Sequence, residues 1–415
     1  MEVTRRVFLK SGGVAMLGLS ALPTFLQRAV AATAMPNRKK LVVLFQRGAA
    51  DGLNIVVPFA EPNYYRIRSS IAIPEPRRGG ENVALDLDGF FGLHPSLAPL
   101  EPLFKKQQLA IVHAAGSPDT TRSHFDAQDF MESGTPGVKS TEDGWLNRAL
   151  QAQLEHATSP FRAVAMGQQL PRTLRGAAPA LALPDVRQFQ VIAKSPVVEG
   201  GFEALYAQTV DTALRGTGTE TFEAIDMLRK ANPGRFQPEN GAEYPRSRFG
   251  QSLQQIAQLI KADIGLEVCF LDSGGWDNHV NEGGAQGQLA NLLRDLGQGL
   301  AAFHLDMGTR MEDIVIVTMS EFGRTAHENG NRGTDHGHAN CMFLMGGPVN
   351  GGKVHGRWPG LGPGQLYEGR DLALTTDFRS VLGEVLSRHL GSKDLHTVFP
   401  GFDNDPRRFS NLLRA

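Results

Sequence analysis

Residues 313–345 read DIVIVTMSEFGRTAHENGNRGTDHGHANCMFLM, two apolar runs separated by a loop that is rich in acids and imidazoles. The runs 313–319 and 341–345 have the length and composition of buried strands. Ligand sites in α/β sheets lie at the carboxyl ends of strands, and the loop begins at such an end. Its oxygen and nitrogen ligands suit zinc, manganese or iron, and the candidates are Glu321, Asp335, His336 and His338. The alternative interpretation is a solvated loop rich in glycine and asparagine.

Two other apolar runs are also followed by candidate metal ligands. The run 40–46 is nearly continuous, as in a parallel strand covered on both faces, and it precedes Asp51. Asp51 is predicted either to bind a metal or to form a turn beside glycine. The run 266–271 precedes Asp277 and His279. Because the carboxyl ends of parallel strands share an edge, we expect these side chains to lie near the loop described above.

The order of the strands and helices predicts an α/β fold. An amphipathic helix over about 286–306 connects the strand at 266–271 to the strand at 313–319, which makes a parallel crossover. A further helix is predicted over 247–263. We therefore expect a mainly parallel sheet that is covered by helices on both faces.

The middle of the chain has weaker patterns. Residues 171–245 are interpreted as a cap or an insertion. Within them, a strand near Val191 and helices over 203–214 and 221–231 are predicted.

A possible nucleophile follows the strand predicted at 109–113. A loop there passes into a helix at about Ser123, whose hydroxyl would face the positive end of the helix dipole. That position would stabilise an alkoxide and also an anionic phosphate or sulfate group of a substrate. Thr120 and Thr121 are rival hydroxyls. The alternative is that Ser123 only caps the helix.

The N-terminus has the features of a twin-arginine (Tat) export signal. Arg5 and Arg6 precede a mildly apolar run at 12–22 and small residues that allow cleavage after Ala31 or Ala34. The signal predicts a protein that the Tat translocase exports to the periplasm.

The domain organisation follows from this signal. We expect a signal peptide over residues 1–34 and a single α/β domain over residues 35–415.

The composition is that of an ordinary globular protein. With 42 basic and 43 acidic side chains, the chain has no excess of positive charge that would hold nucleic acid. No apolar run after the signal reaches the roughly 20 residues that a membrane span requires. Two cysteines, Cys269 and Cys341, fall within predicted strands, where we expect small core residues; a single disulfide is the alternative.

Five blocks of sequence resemble the alkaline phosphatase and sulfatase superfamily, and in particular its Tat-exported branch known as domain of unknown function 1501. The blocks are RGAADGLN at 47–54, RSHFDAQ at 122–128, GGWDNH at 274–279, SEFGR at 320–324 and GTDHGH at 333–338. The resemblance implies one or two divalent metals at the carboxyl edge of a mainly parallel sheet. It also implies a Ser, Thr or modified Cys at a helix start that attacks phosphorus or sulfur.

The resemblance gives roles to individual residues. It implies that Asp51 is the metal ligand after the first strand and that Ser123 is the nucleophile. Asp277 matches an acid that the superfamily follows with a histidine four residues later. Here that residue is Asn281, and the nearest imidazole is His279.

The later Asp-His pair of the superfamily can be placed in two ways. By local sequence similarity the pair matches Asp335 and His336, with His355 as a third histidine. By strand order its position belongs to Glu321, with His336 or His338 as the last histidine. Strand order is preferred because it determines what a side chain can reach.

The function expected from these features is a metal-dependent hydrolase of phosphate esters or related small anionic esters. The Cys/Ser-x-Pro-x-Arg sequence that sulfatases use to make formylglycine is absent around Ser123, which disfavours a sulfatase of that kind. The alternative is a non-catalytic exported protein of the same fold that acts as a binding or assembly partner. Asn281, where the superfamily has a histidine, favours this alternative.

Overall fold

A large sheet built from buried strands forms the centre of the molecule. The computed structural model describes residues 15–16, 39–152, 159–186, 227–403 and 405–414. The strands in these ranges are β1 (Ala15–Met16), β2 (Lys40–Gln46), β3 (Val56–Val57), β4 (Leu85–Asp86), β5 (Gly92–Leu93), β6 (Leu109–Gly116), β7 (Ala163–Met166), β8 (Leu181–Ala182), β9 (Val268–Ser273), β10 (Ile314–Ser320), β11 (Asn340–Gly346), β12 (Val354–His355) and β13 (Thr376–Asp377).

Helices connect these strands. They are α1 (Gly52–Ile55), α2 (Pro62–Ile67), α3 (Glu101–Lys105), α4 (His124–Ser133), α5 (Trp145–Gln151), α6 (Arg248–Lys261), α7 (Gln288–Met307), α8 (Phe378–Arg388) and α9 (Leu395–Val398). Among the described residues, no helix combines the length and the apolar composition that a membrane crossing requires.

The main sheet is mostly parallel. Its strand order is β1-β8-β7-β9-β2-β10-β11-β6-β12, and β13 also pairs with β6. From β8 to β10 the neighbouring strands run parallel, whereas β11 is antiparallel to both β10 and β6. A small separate sheet has the order β3-β5-β4.

Side chains of the central strands alternate between two cores, as the period of a strand requires. In β2, Val42 and Leu44 belong to one core, which also receives residues of α6 and α7. Val43 and Phe45 belong to the other core, which receives residues of α5 and α8. Helices therefore cover both faces, and the predicted α/β fold with a mainly parallel sheet is confirmed.

Each strand predicted beside the candidate site is present, with ends that differ by a few residues. The predicted helices over 247–263 and 286–306 correspond to α6 and α7. Cys269 and Cys341 are both buried and free.

The segment predicted as a cap or an insertion, 171–245, is only partly described. Its strand β8 pairs with β7 and so extends the main sheet. The strand predicted near Val191, the helix at 203–214 and most of the helix at 221–231 lie outside the described residues.

One edge of the sheet collects the loops that carry the candidate residues. Strands β2, β6, β9 and β10 all end at this edge, and the antiparallel β11 begins there. Because β11 begins at this edge, the loop that connects β10 to β11 lies at the same edge as the loops after β2, β6 and β9.

Candidate metal centre

Three imidazoles and one carboxylate converge at the sheet edge. The Nε2 atom of His336 lies 3.0 Å from Nε2 of His124 and 3.0 Å from Nε2 of His279. Asp277 reaches all three rings: Oδ1 lies 2.9 Å from His279 Nε2 and 3.3 Å from His336 Nε2, and Oδ2 lies 3.4 Å from His124 Nε2. These four residues are called the histidine cluster below.

The four members of the cluster come from three connections at the same edge of the sheet. His124 is the first residue of α4, in the connection after β6, whereas Asp277 and His279 follow β9. His336 lies in the loop between β10 and β11, which folds back on itself so that His336 pairs with Arg324 through an isolated bridge. Glycine is required at 337 for this fold, because a Cβ there would lie 2.3 Å from the Arg324 carbonyl carbon.

A second close approach brings the β2 loop to Asp277. Gly48 has a φ of +118°, and a Cβ on it would lie 2.6 Å from the backbone nitrogen of Asp277. Only glycine allows both this conformation and this distance. The loop after β2 therefore packs directly against the loop after β9.

The outer nitrogen of each imidazole contacts an oxygen that accepts hydrogen bonds. These contacts are His124 Nδ1 to Glu321 Oε1 at 2.8 Å, His279 Nδ1 to Asp335 Oδ1 at 3.1 Å and His336 Nδ1 to the carbonyl oxygen of Arg122 at 2.8 Å. A carbonyl or a carboxylate oxygen has no proton to give, so we assign the proton of each neutral ring to Nδ1. Each Nε2 then directs a lone pair into the cluster.

This arrangement fits a divalent metal ion. Three lone pairs and a carboxylate oxygen repel one another unless a cation lies among them. Ligands about 2.0–2.2 Å from one ion are separated by roughly 2.9–3.5 Å, which matches the distances from His336 Nε2 to the other two Nε2 atoms and from the Asp277 oxygens to each ring. Metal-bound histidines commonly donate their other N–H group to a carboxylate or a backbone carbonyl, as these three do. His124, Asp277 and His336 form a group whose ligand atoms lie within 4.8 Å of one another.

Protons compete for the same position. The hydrogen bond to Glu321 raises the pKa of His124, and burial lowers the pKa of His336. Of these two rings, His124 therefore binds an extra proton more readily, and protonated His124 can donate a hydrogen bond from Nε2 to Nε2 of His336. A metal ion would displace that proton on binding.

Glu321 lies behind the cluster and orients His124. Its side chain is fully buried, and Oε1 accepts hydrogen bonds from His124, from Gln128 Nε2 at 2.8 Å and from the backbone N–H of Gly48 at 2.9 Å. Burial alone would raise the pKa of Glu321, but the hydrogen bonds from His124 and Gln128 lower it. Glu321 is therefore ionised and already surrounded by donors, as is usual for a residue that supports a metal ligand.

Asp277 is the exposed acid of the cluster. Its side chain keeps 44% of its accessible surface, and Arg324 donates a hydrogen bond to Oδ1 at 2.6 Å. Burial acts to raise the pKa of Asp277, but Arg324 lowers it below the usual aspartate value. The Arg324 side chain is fully buried and also bonds to the carbonyl oxygens of Gly48 and Ala49. Asp277 thus holds one fixed cation and still presents oxygens to the imidazoles.

The structure places Asp51 differently from the expectation of a metal ligand. Its carboxylate is buried and contacts the Arg68 guanidinium through both oxygens, with Nη2 to Oδ1 at 2.9 Å. Glu282 lies nearby, and burial together with the charge of Asp51 raises its pKa. Asp51, Arg68 and Glu282 are called the Arg68 network below. Arg68 thus neutralises Asp51, and the group of potential metal ligands contains His124, Asp277 and His336 but not Asp51.

Two other predicted residues, His338 and Ser123, have different surroundings. His338 is buried, and its ring stacks on Tyr367 with a centroid distance of 4.5 Å. Ser123 is the N-cap residue of α4, but its exposed side chain makes no capping hydrogen bond. Asp335 supports His279 from outside the cluster and also accepts a hydrogen bond from Asn329.

The sequence reasoning missed His124. The hydroxyls in the connection from β6 to α4 were the predicted functional groups. The side chain in this connection that contacts His336 and Asp277 is instead the imidazole of His124, directly after Ser123. The available signal was position: His124 opens a helix directly after a strand end, as Asp277 and His279 follow another strand end.

The comparison with family models agrees with the branch named in the sequence analysis. The chain belongs to the family described as "Protein of unknown function (DUF1501)", whose model matches residues 38–398. A crystal structure of PsFucS1 sulfatase from Pseudoalteromonas sp. is similar with a TM-score of 0.42 and 13% identity, over 95% of this chain and 76% of that chain. No curated protein matches the chain. The fold class follows from the strand order of this chain itself.

Proposed function

We propose that this protein is an exported metal-dependent hydrolase of phosphate esters or related anionic esters, with one divalent ion held by the histidine cluster. The observation that carries the proposal is the convergence of three Nε2 lone pairs on the Asp277 carboxylate, with every Nδ1 held by an acceptor. Nitrogen and oxygen ligands of this kind suit zinc, manganese or iron.

The residues around the cluster have distinct tasks in this proposal. When bound, the ion would polarise an ester oxygen and lower the pKa of an attacking hydroxyl or water. Glu321 and the Arg122 carbonyl keep His124 and His336 in the orientation that binding requires. The first turn of α4 leaves backbone N–H groups without helical partners, and these can donate to the oxygens of an anionic substrate. Ser123 is the candidate nucleophile because its exposed hydroxyl adjoins His124 in the chain.

A single ion is proposed because Asp51, the acid that would hold a second one, is paired with Arg68 through both oxygens. A guanidinium keeps its positive charge at all working pH values, so Arg68 supplies a permanent cation beside Asp51, where a second metal would otherwise be required.

The test is hydrolysis by protein loaded with zinc, manganese or iron. Aryl phosphate, aryl sulfate and phosphonate monoester substrates are offered to the wild type, to Ser123→Ala and to the matched hydroxyl variant Thr121→Val. We expect the wild type to hydrolyse at least one ester class, Ser123→Ala to be inactive and Thr121→Val to be active. Activity that survives in Ser123→Ala would move the nucleophile to Thr121 or to water. Absence of hydrolysis of every ester by each loaded form would contradict the proposed activity.

A non-catalytic role is the second candidate, and one observation favours it. Asp51, which the superfamily would use as a metal ligand, is neutralised by Arg68. In that case the histidine cluster would hold a structural metal in a binding or assembly partner. A loaded protein that binds its ion but hydrolyses none of the esters would support this role.

Export is proposed from the N-terminal motif. Arg5 and Arg6 precede an apolar run and small residues, which is the order of a Tat signal. Replacement of both arginines with lysine should leave the precursor in the cytoplasm, as fractionation and immunoblotting would show. Normal periplasmic accumulation of this variant would contradict the proposal.

A further inference from the structure

Two exposed apolar residues directly follow histidines of the cluster in the chain. In the described part of the chain, four large hydrophobic residues are strongly exposed, among them Phe125 at 89% and Val280 at 51%. Phe125 directly follows His124, and Val280 directly follows His279. Single exposed hydrophobic residues are common on protein surfaces and need no explanation. Here, however, two of the four stand next to two imidazoles that contact the same atom, His336 Nε2.

Phe125 is held on a fixed support. It is the second residue of α4, whose beginning is tied to the buried Glu321 by hydrogen bonds from His124 and Gln128. These bonds fix the backbone at Phe125, and its exposed ring leaves apolar surface in water at a cost in hydration free energy.

Val280 is supported in a similar way. Its carbonyl oxygen accepts a hydrogen bond from Gln288 Nε2 at 3.1 Å, and the next residue, Asn281, donates its backbone N–H to the carbonyl of Asn331 at 2.9 Å. The backbone on both sides of Val280 is thus bonded to neighbouring segments. Phe125 and Val280, called the apolar rim below, are two exposed apolar residues on a fixed backbone, and each is next in the chain to an imidazole of the histidine cluster.

We propose that the substrate carries an apolar group, aryl or branched alkyl, next to its anionic group, and that the apolar rim binds this group. The inference rests on the proposed function, because it assumes that the anionic group binds at the histidine cluster. Contact with Phe125 and Val280 removes apolar surface of both partners from water, and an aromatic substituent gains further from the Phe125 ring. A substrate composed only of polar groups would leave the rim in water and gain nothing from it.

The experiment measures binding, not turnover, on zinc-loaded full-length protein. Calorimetry compares phenylphosphonate with methylphosphonate, two anions with the same charged group and different substituents. We expect the wild type to bind phenylphosphonate roughly tenfold more tightly. The variants Phe125→Ser and Val280→Ser should each reduce this ratio toward one.

Leu305→Ser is the matched control. Leu305 is 49% exposed, as Val280 is, but it lies near the end of α7, which leads to the start of β10 at the opposite edge of the sheet. This variant should keep the wild-type ratio. Equal affinities in the wild type, or a preference that survives both rim substitutions, would overturn the apolar rim while leaving the metal site in place. Absence of zinc-dependent binding of either phosphonate would remove the proposed function and the rim together.

Discussion

The histidine cluster and the Arg68 network lie at the same edge of the sheet, and each contains an aspartate that follows a parallel strand. Asp51, after β2, is buried and gives both oxygens to Arg68. Asp277, after β9, is 44% exposed and faces three imidazoles while it bonds to Arg324. The comparison teaches that the position after a strand brings an acid to the edge, but that its neighbours decide whether it pairs permanently or remains available to a metal.

The two regions also treat charge differently. In the Arg68 network, one guanidinium is shared between a buried carboxylate and hydrogen bonds to Asn54 and to the carbonyl oxygens of Thr325 and Ala326. The donors are nitrogen atoms of Arg68, and all of their acceptors belong to the chain itself. In the histidine cluster, the donors point outward to Glu321, Asp335 and Arg122, and the lone pairs point inward. In the first region the chain itself supplies the neutralising cation, whereas in the second region we propose that a bound metal ion supplies it.

The largest effect is expected from Arg68→Met. Removal of the guanidinium leaves the buried Asp51 carboxylate without its partner, which should lower the free energy of unfolding by about 3–5 kcal/mol. Denaturant unfolding of metal-free protein measures this change. The double variant Arg68→Met with Asp51→Asn removes the stranded charge and should recover much of the loss. A loss below about 1 kcal/mol in the single variant would show that the pair does not stabilise the fold in this way.

A smaller effect, on metal affinity, is expected from Glu321→Gln. Because Glu321 orients His124 without facing the ion position, its replacement should weaken zinc binding by about 10–100-fold. Competition with a chelator measures the affinity. Glu328→Gln is the matched control, since Glu328 also accepts several hydrogen bonds but from Ser69 and Ser70. Equal affinities of Glu321→Gln and the wild type would exclude a supporting role for Glu321.

Much of this edge was predictable from the sequence because apolar runs and the residues after them follow the chain directly. That logic correctly brings Asp277, His279 and His336 together. It could not assign Asp51, because the deciding partner, Arg68, lies 17 residues away and no local pattern marks their contact.

Other features depended on information that a single segment does not contain. The run that becomes β11 shows that a strand forms but not that it runs antiparallel between β10 and β6. His338 stands two residues after His336, yet it turns to Tyr367 and packs there. His124 and the neighbouring hydroxyls all lie near the start of α4, and only the contacts of His124 with Asp277 and His336 distinguish it from them. In each case, tertiary contacts decide between side chains that look equivalent in the sequence.

The smallest effect concerns the pH dependence of the Arg68 network. Burial and the charge of Asp51 raise the pKa of Glu282, so the folded protein holds a proton that the unfolded chain releases at lower pH. Stability should therefore fall as the pH rises from the ordinary glutamate pKa toward the raised value, by at most about 1.4 kcal/mol per pH unit. Glu282→Gln removes this titration. Denaturant unfolding at several pH values measures the free energies of unfolding of both proteins. The value for Glu282→Gln minus the value for the wild type should increase as the pH rises over that interval. A value that stays constant with pH would contradict a raised pKa of Glu282.

The most direct test of the central claim is the metal content of the folded protein. Wild type and His336→Ala are purified, equilibrated with zinc, dialysed and analysed for zinc per chain, with circular dichroism to verify that both are folded. The account predicts one zinc ion per wild-type chain and almost none in His336→Ala, because His336 Nε2 contacts both other imidazoles of the cluster. A wild type that holds no zinc or two ions, or a His336→Ala variant that keeps its ion, would contradict it.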